Sequence, residues 1–314
     1  MPSGVPSRVL ARSRASRAVG VEVGASGVQA VILERAGSRL QLAAAHETAC
    51  DPSNAESLTR ALTEVRQRLR LTTPIVLGVP STSAILTTVH PLVVTPQRAA
   101  LAVQFELQQQ LPFELADAAW HYCGSPGPRQ PSSVIAAAMR QSLLDERLAC
   151  CRRAGLAVQA VAVNPVAALN ALDAGRSPRN SGTPSVTVLR LVTAHIAEWI
   201  VSRPALLHVI PVTSGSPEAF WQEAAASWQA LRAQDAEVPT PVRLIGPAEA
   251  LARAQEALAD VPVERVDPAQ LVAPGTVTLE HPDRAVAALG LALQALGEAA
   301  VPLNLLAGAQ QDER

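Results

Sequence analysis

The sequence predicts an α/β fold of two lobes with an internal cleft, because strands and helices follow one another in the same order in its two halves. Strand-like apolar runs open each half, at residues 18–45 and again at residues 186–212, and helix-like segments alternate with short strands after both. A segment rich in Gly, Pro, Ser, Arg and Asn at residues 175–184 separates the halves. A chain of 314 residues is long enough to form two such units.

The first half opens with a three-stranded meander, which a helix and two more strands follow. Its strands are predicted at residues 18–24, 28–33, 40–45, 75–79 and 85–89. A turn of small residues at 24–27 joins the first two strands. Ser53 and Glu56 have the spacing of a capping box, and apolar residues at intervals of 4, 3 and 4 over residues 58–69 predict a helix with one buried face.

Residues 91–163 predict a compact module of their own. The Thr95-Pro96 pair begins a helix that ends before Pro112, with Leu101 and Phe105 facing inward. The later elements are predicted as strands at residues 120–123, 134–139 and 158–163 and a helix at residues 143–153.

The second half is predicted to alternate strands and helices after three strands in a row. Its strands are predicted at residues 186–191, 197–201, 206–212, 242–245, 263–266 and 277–279. Its helices are predicted at residues 218–234, 248–259 and 284–296.

Lysine is absent from the chain, and its absence excludes two kinds of chemistry. All 26 residues of the Lys and Arg count are Arg, and with 27 acids they give a net charge of −1. Schiff-base catalysis and a Walker-type phosphate loop both need a lysine ammonium group. The net charge also gives no overall basic excess for binding nucleic acid or a membrane surface.

The other reactive residues form no recognisable catalytic or metal-binding pattern. The six His residues are scattered singly, and the four Cys residues lack the C-x-x-C spacing of a zinc site. We therefore expect reduced, buried thiols, no metal and no enzyme activity. No run of about 20 apolar residues is present, which favours a cytoplasmic protein without a membrane span. The Arg-rich residues 1–18 are either flexible or make a weak contact with acidic lipid or a partner.

Several segments resemble the PilM family of type IV pilus assembly proteins. The segment FELQQQLPFE at residues 105–114 follows His90-Pro91-Leu92 and is similar to the family pattern LPL followed by E-x-E-Q-Y-I-P-F. Shorter similar motifs follow in the family's order, namely AGL at 154–156, VNP at 163–165, VDP at 266–268 and ALGLAL at 288–293. Residues 20–29 are similar to the first phosphate loop of actin-like proteins, and the resemblance extends over residues 19–306.

The resemblance implies an actin-like (ribonuclease H-like) two-lobed fold, which the cell-division protein FtsA shares, with an inserted subdomain of the 1C type. It places the boundaries as a flexible basic tail at residues 1–18, a first lobe (1A) at 19–90 plus 164–178, the 1C-like subdomain at 91–163, a second lobe (2A/2B) at 185–283, a helix closing back on the lobes at 284–297 and a C-terminal tail at 298–314.

The resemblance also implies a location and a partner. PilM-like proteins lie on the cytoplasmic face of the inner membrane, where a groove receives the N-terminal tail of a PilN-like bitopic membrane protein. Phe105, Leu111 and Phe113 are either walls of that groove or core residues of the 1C region. Self-association is a second possible contact, and no nucleic-acid partner is expected.

A nucleotide site between the lobes is a further implication, and this sequence departs from it. The resemblance implies ATP with magnesium held by loops at Glu22, Gly24, Ser26, Gln29 and Gly246. Gln29 stands where the family has Lys, and Arg190 and Val192 fall near the Asp and Gly of the second loop. Pro247 removes an N–H donor from the adenosine turn. We therefore expect weak or no ATP binding and no hydrolysis, with phosphate binding by Arg190 as the alternative.

The segment VPLNLL at residues 301–306 resembles the Asn-Leu-Leu motif by which PilN-like partners dock. Either it is an ordinary C-terminal strand or tail end, or it occupies the groove of its own or a neighbouring molecule. The predicted function is a cytoplasmic scaffold of a pilus or secretion platform. The alternatives are an active ATP-binding PilM-like protein and the L-type component of type II secretion, which is expected to continue into a membrane span.

Overall fold

The two predicted lobes are present, and each is built on a five-stranded sheet. A computed structural model describes residues 16–37, 39–90, 96–124, 133–174, 185–203, 206–272 and 281–308. The strands are β1 (Arg17–Val23), β2 (Gly27–Ala36), β3 (Arg39–Ala49), β4 (Ile75–Val79), β5 (Ile85–Val89), β6 (Ala118–Cys123), β7 (Val134–Arg140), β8 (Val158–Val163), β9 (Val186–Thr193), β10 (Ile196–Arg203), β11 (Leu206–Thr213), β12 (Val242–Ile245) and β13 (Val263–Arg265). The helices are α1 (Ala55–Leu69), α2 (Pro96–Gln110), α3 (Gln141–Arg153), α4 (Asn164–Leu172), α5 (Pro217–Gln234), α6 (Ala250–Ala257) and α7 (Val286–Ala295).

The two large sheets have the same construction. The first has the order β3-β2-β1-β4-β8 and the second the order β11-β10-β9-β12-β13. In both, three antiparallel strands precede two strands that are parallel to the first of the three. The similar order of elements in the two halves of the sequence therefore corresponds to a repeated topology.

The third sheet forms a small module with the order β5-β7-β6, and α2 packs on it. β5 pairs with β7, whereas the expected boundaries placed this strand in the first lobe. β8 pairs with β4, and α3 packs on α1, so both belong with the first lobe rather than with the expected subdomain at residues 91–163. The module therefore both begins and ends earlier in the chain than predicted, because it gains β5 and loses α3 and β8. Sheet pairing, and not chain order, decides which strands belong together.

The inward-facing residues of α2 differ from those predicted. Leu101 and Phe105 are each 64% exposed, while Val103, Leu107 and Leu111 are buried. The three buried residues are four positions apart, which places them on one side of the helix. Leu101 and Phe105 lie two positions away, on the opposite side, so the prediction that they face inward is wrong.

Helix α4 was not expected from the sequence, and it packs closely on α7. Eight of its nine residues are buried, so its sequence has no polar side that would reveal a helical period. A Cβ atom added at Gly290 of α7 would lie 1.7 Å from the carbonyl oxygen of Ala167 on α4. Gly290 therefore allows the two helix backbones to approach each other at their crossing.

The start of α1 also differs from the prediction. Asn54, not Ser53, caps the helix, and its Oδ1 accepts from the N–H groups of Glu56 (3.0 Å) and Ser57 (2.9 Å). Ser53 instead donates its hydroxyl to Asp51, at 2.6 Å. Several predicted segments lie outside the described residues, namely most of the basic tail, the linker at 175–184, the strand at 277–279 and residues 309–314.

Two further expectations concern the thiols and the membrane. Cys150 and Cys151 are buried, as expected, whereas Cys50 and Cys123 are half-buried. Burial raises the pKa of Cys151 to about 12, so its thiol stays protonated at neutral pH. Among the described helices, none is both long enough and apolar enough to cross a membrane.

Candidate functional site

A cleft lies between the β1–β2 hairpin of the first lobe and strand β9 of the second. Its lining residues are Glu22, Gly24, Ala25, Ser26, Gly27, Gln29, Glu47, Arg190, Leu191, Val192, Asp283 and Arg284. On the first-lobe side the parallel strands end together, so Glu22 lies beside Gly78 of β4. The amide of Asn164, just after β8, donates to the carbonyl oxygen of Val23 at 2.9 Å.

Arg190 joins the two lobes across this cleft. Its Nη1 donates to Oε1 of Glu198 at 2.6 Å, and its Nη2 donates to Oε1 of Glu22. The other carboxylate oxygen of Glu198 accepts from the Ser81 hydroxyl at 2.7 Å. Glu198 and Arg190 face each other on the paired strands β10 and β9, while Glu22 and Ser81 come from the first lobe. One buried guanidinium therefore bridges carboxylates of both lobes.

Burial and neighbouring charges have opposite effects on the pKa values of Glu22 and Arg190. Burial raises the pKa of Glu22, and the positive charge of Arg190 opposes this effect. The two carboxylates hold the pKa of Arg190 above its ordinary value despite its burial, so the guanidinium remains charged. Because burial favours neutral forms, the pairing with Arg190 is what allows two carboxylates to occupy this position.

Two further acceptor atoms are buried in the cleft. Oε2 of Glu22 and Oε1 of Gln29 have no hydrogen-bond partner among the described residues. Glu22 and Gln29 are paired across β1 and β2, so the two atoms belong to neighbouring side chains. Oxygen acceptors of this kind suit water or another donor and not a phosphate oxygen, which is itself an acceptor.

The residues of the cleft do not fit a magnesium nucleotide. The Gly24 N–H, a candidate phosphate donor, is already bonded to the Gly27 carbonyl oxygen at 2.8 Å. The cleft volume is about 40 Å³, whereas pockets for drug-sized ligands measure about 300–1,000 Å³. The charges also disfavour an anion, because Glu22, Glu47, Asp283 and the adjoining Glu198 outnumber Arg190 and Arg284.

The structure brings most of the predicted nucleotide residues together. Glu22, Gly24, Ser26 and Gln29 all line the cleft, as do the aligned second-loop residues Arg190 and Val192. Gly246 is not among the lining residues. It packs against the Leu191 side chain, and its carbonyl oxygen accepts from Nε of Arg265 at 3.0 Å.

Glu198 and Ser81 are the site residues that the sequence analysis missed. Glu198 lies in the apolar segment IAEWIV and Arg190 in the apolar segment VTVLRLV, so each is a lone charge in a strand that is otherwise apolar. Because a buried charge needs a partner, two opposite lone charges in consecutive strands were a usable signal of a buried ion pair. Ser81 gave no such signal, since it follows a strand as an ordinary turn residue would.

Comparison with solved structures supports the fold. The structure described as the PilM-PilN type IV pilus biogenesis complex is similar to this chain with a TM-score of 0.71 and 21% sequence identity, over 90% of this chain and 99% of that chain. This chain has the actin-like fold. The cytoplasmic domain of EpsL, an inner membrane component of the type II secretion system of Vibrio cholerae, is similar with a TM-score of 0.51 and 14% identity, over 87% of this chain and 95% of that one.

The sequence comparisons give no assignment of their own. No protein-family model matches the chain, and no curated protein matches it. The predicted two-lobed α/β fold is thus confirmed at the level of structure. At these identities the likeness extends to the fold and not to a shared activity.

Proposed function

We propose that the chain is a non-catalytic scaffold in the inner-membrane assembly platform of a type IV pilus or a related secretion system. It lies on the cytoplasmic face of the membrane and docks the N-terminal tail of a PilN-like bitopic partner. The support is the fold it shares with PilM in the PilM-PilN complex and, more distantly, with the cytoplasmic domain of EpsL. Fold alone does not decide function, so the remaining support has to come from the cleft.

The observation that carries the scaffold proposal is the bridge made by Arg190. In an actin-like protein with nucleotide, the ligand and its metal connect the loops of the two lobes. Here a side chain of the protein connects Glu22 of the first lobe to Glu198 of the second. The positive charge that a metal would bring to the carboxylates is already present in the guanidinium. The lobes can therefore hold one arrangement without a nucleotide.

Phe105 is the best candidate for a contact with the partner outside the cleft. Of the three residues predicted in this region, Leu111 is buried, Phe113 is half-buried beneath Arg140, and Phe105 is exposed. An exposed aromatic side chain is a frequent anchor in protein interfaces. We therefore assign Leu111 and Phe113 to the core of the 1C region, and Phe105 to the surface that contacts the partner.

Titration with ATP and magnesium is expected to give no saturable binding in the micromolar range. The physical reason is that Arg190 is engaged by two carboxylates and that the cleft has an excess of acidic groups. Isothermal calorimetry measures this directly, with ATP in the absence of magnesium as the reference titration. A micromolar dissociation constant with one site per chain would contradict the expectation that the cleft binds ATP weakly or not at all.

Co-purification tests the partner. A PilN-like bitopic inner-membrane protein from the same organism is expected to co-purify with this chain from detergent-solubilised membranes without added nucleotide. Phe105→Ser is expected to weaken this association about tenfold, as loss of an aromatic anchor does, whereas Gln110→Ser, at an exposed position on a different side of the same helix, leaves it unchanged. Failure of the wild-type protein to retain the partner, or a strict need for ATP, argues against the scaffold.

A further inference from the structure

The last described segment, residues 298–308, packs on the first lobe in the manner of a bound peptide. Val301, Leu303 and Leu305 are buried, and Pro302 between them is exposed. The backbone is turned rather than regularly extended, because the Leu303 N–H donates to the Val301 carbonyl oxygen at 2.9 Å and the Ala307 N–H donates to the Asn304 carbonyl oxygen at 3.0 Å. The buried side chains nevertheless lie on one side of the segment, which is held in a groove. We call the surface that holds residues 301–308 the tail groove.

One wall of the tail groove is strand β8, an edge strand of the first sheet. The Leu305 N–H donates to the Val161 carbonyl oxygen at 2.8 Å, and the Val161 N–H donates to Oδ1 of Asn304 at 3.1 Å. The side-chain oxygen of Asn304 therefore accepts the hydrogen bond that a backbone carbonyl oxygen would accept in a regular strand. Both backbone groups that Val161 turns away from the sheet are hydrogen-bonded by the segment, as in peptides that bind by addition to a sheet edge.

The floor of the tail groove is formed by buried amide side chains of α4 and α7. Asn170 bonds both backbone groups of Val301, because its Oδ1 accepts from the N–H at 2.9 Å and its Nδ2 donates to the carbonyl oxygen at 3.0 Å. Nε2 of Gln294 donates to the Leu303 carbonyl oxygen at 2.7 Å. Amide side chains of this kind bind the backbone groups of a peptide, whatever side chains the peptide carries.

The opposite wall is strand β6 of the small module. Nδ1 of His121 accepts from the Asn304 N–H at 3.3 Å. Burial lowers the pKa of His121 to about 4, so the ring is neutral and able to accept at neutral pH. Farther along, a Cβ atom at Gly308 would lie 2.2 Å from the Trp120 carbonyl oxygen, so only glycine fits there. The groove thus lies between the module and the first lobe.

We infer that the tail groove is a peptide-docking site that the chain fills with its own residues 301–308, and that a peptide with leucines on both sides of an asparagine competes for it. The inference rests on the proposed function, because it makes the partner's tail the natural competitor. The segment leaves α7 at Gly297, whose φ is 74°, so it can depart without unwinding the helix. The chain's own segment then acts as an internal inhibitor of docking.

Asn304 offers a way to loosen the segment in the full-length chain. Its Oδ1 accepts from both the Val161 and the Leu306 N–H groups, so Asn304→Ala removes two bonds of the segment and leaves its buried leucines unchanged. The probe is a fluorescein-labelled peptide with the sequence of residues 300–308, AVPLNLLAG, followed by fluorescence polarisation. Gln109→Ala, at an exposed position of α2 far along the chain, is the control.

The labelled peptide is expected to bind the Asn304→Ala variant about tenfold more tightly than it binds the wild type or the Gln109→Ala control. A peptide in which Ala replaces the asparagine is expected to bind about tenfold more weakly to every protein. Equal affinity of all three proteins for the labelled peptide, or no saturable binding to any of them, overturns the inference.

Amide hydrogen exchange of the wild-type protein tests whether an added peptide displaces residues 301–308, and it does not depend on the folding of the variant. Excess unlabelled peptide is expected to abolish protection of the Leu305 amide of the chain and to preserve that of Val161. Unchanged protection at Leu305 overturns the inference. Co-purification separates failure of this inference from failure of the proposed function. If wild type and Asn304→Ala retain the membrane partner equally, the result supports the scaffold and contradicts internal competition.

Discussion

Replacing Arg190 by Met is expected to lower the free energy of unfolding by about 3–5 kcal/mol, because it leaves Glu22 and Glu198 buried without a positive partner. The two carboxylates then stay charged at a high cost or take up protons. Because protonation relieves that cost, the deficit relative to wild type is expected to shrink as the pH falls from 7 towards 5. Urea denaturation at several pH values measures both effects.

The matched control for this variant is Arg243→Met. Arg243 also pairs with a glutamate, Glu264, at 2.5 Å, but both side chains are about half exposed. A surface pair of this kind contributes about 0–1 kcal/mol, so little change is expected. A triple variant with Arg190→Met, Glu22→Gln and Glu198→Gln is expected to recover part of the lost stability. If Arg190→Met is as stable as Arg243→Met, the bridge between the lobes does not hold the structure.

The second large effect is expected from Gly290→Ala, which should lower the free energy of unfolding by about 3 kcal/mol, the upper end of the usual cost of overpacking. The added methyl group would lie 1.7 Å from the Ala167 carbonyl oxygen and 2.5 Å from its carbonyl carbon. These are backbone atoms of α4, so the two helices have to separate. Separation disturbs the first lobe, since α7 also packs on β1 and β4.

Gly215→Ala is the control for the helix crossing. No atom lies within 4 Å of a Cβ atom added there, so this variant is expected to keep wild-type stability. Urea denaturation and circular dichroism compare the two variants. A Gly290→Ala protein with unchanged stability would mean that α4 and α7 do not cross as closely as described.

Much of the fold followed from local patterns in the sequence. The first hairpin is an example, because the apolar runs on both sides of the small residues at 24–27 leave few alternatives to an antiparallel pair. The similar order of strands and helices in the two halves likewise predicted an α/β fold with an internal cleft, and the structure adds that the two large sheets have corresponding strand orders. The likeness to PilM in its complex confirms the actin-like fold that the resemblance implied.

Other features did not follow, for reasons that are specific to each. Helix α4 has no polar side, so its period was invisible. Leu101 and Phe105 are apolar and four positions apart, which predicts a buried pair, but Val103 and Leu107 have the same spacing and are the pair that is buried. Asn54 and Ser53 are both good capping residues, and only the backbone conformation distinguishes them.

The sequence by itself determined that Gln29 stands where the first phosphate loop of the resembled family has lysine, and that Arg190 stands near the acidic position of the second loop. These departures predict a poor nucleotide site. The sequence left open what Arg190 does. Only the tertiary structure decided this, by placing the end of β1 opposite β9 so that one guanidinium meets Glu22 and Glu198. The physical reason is that residue types are local, whereas the partner of a buried charge depends on which distant strand ends meet.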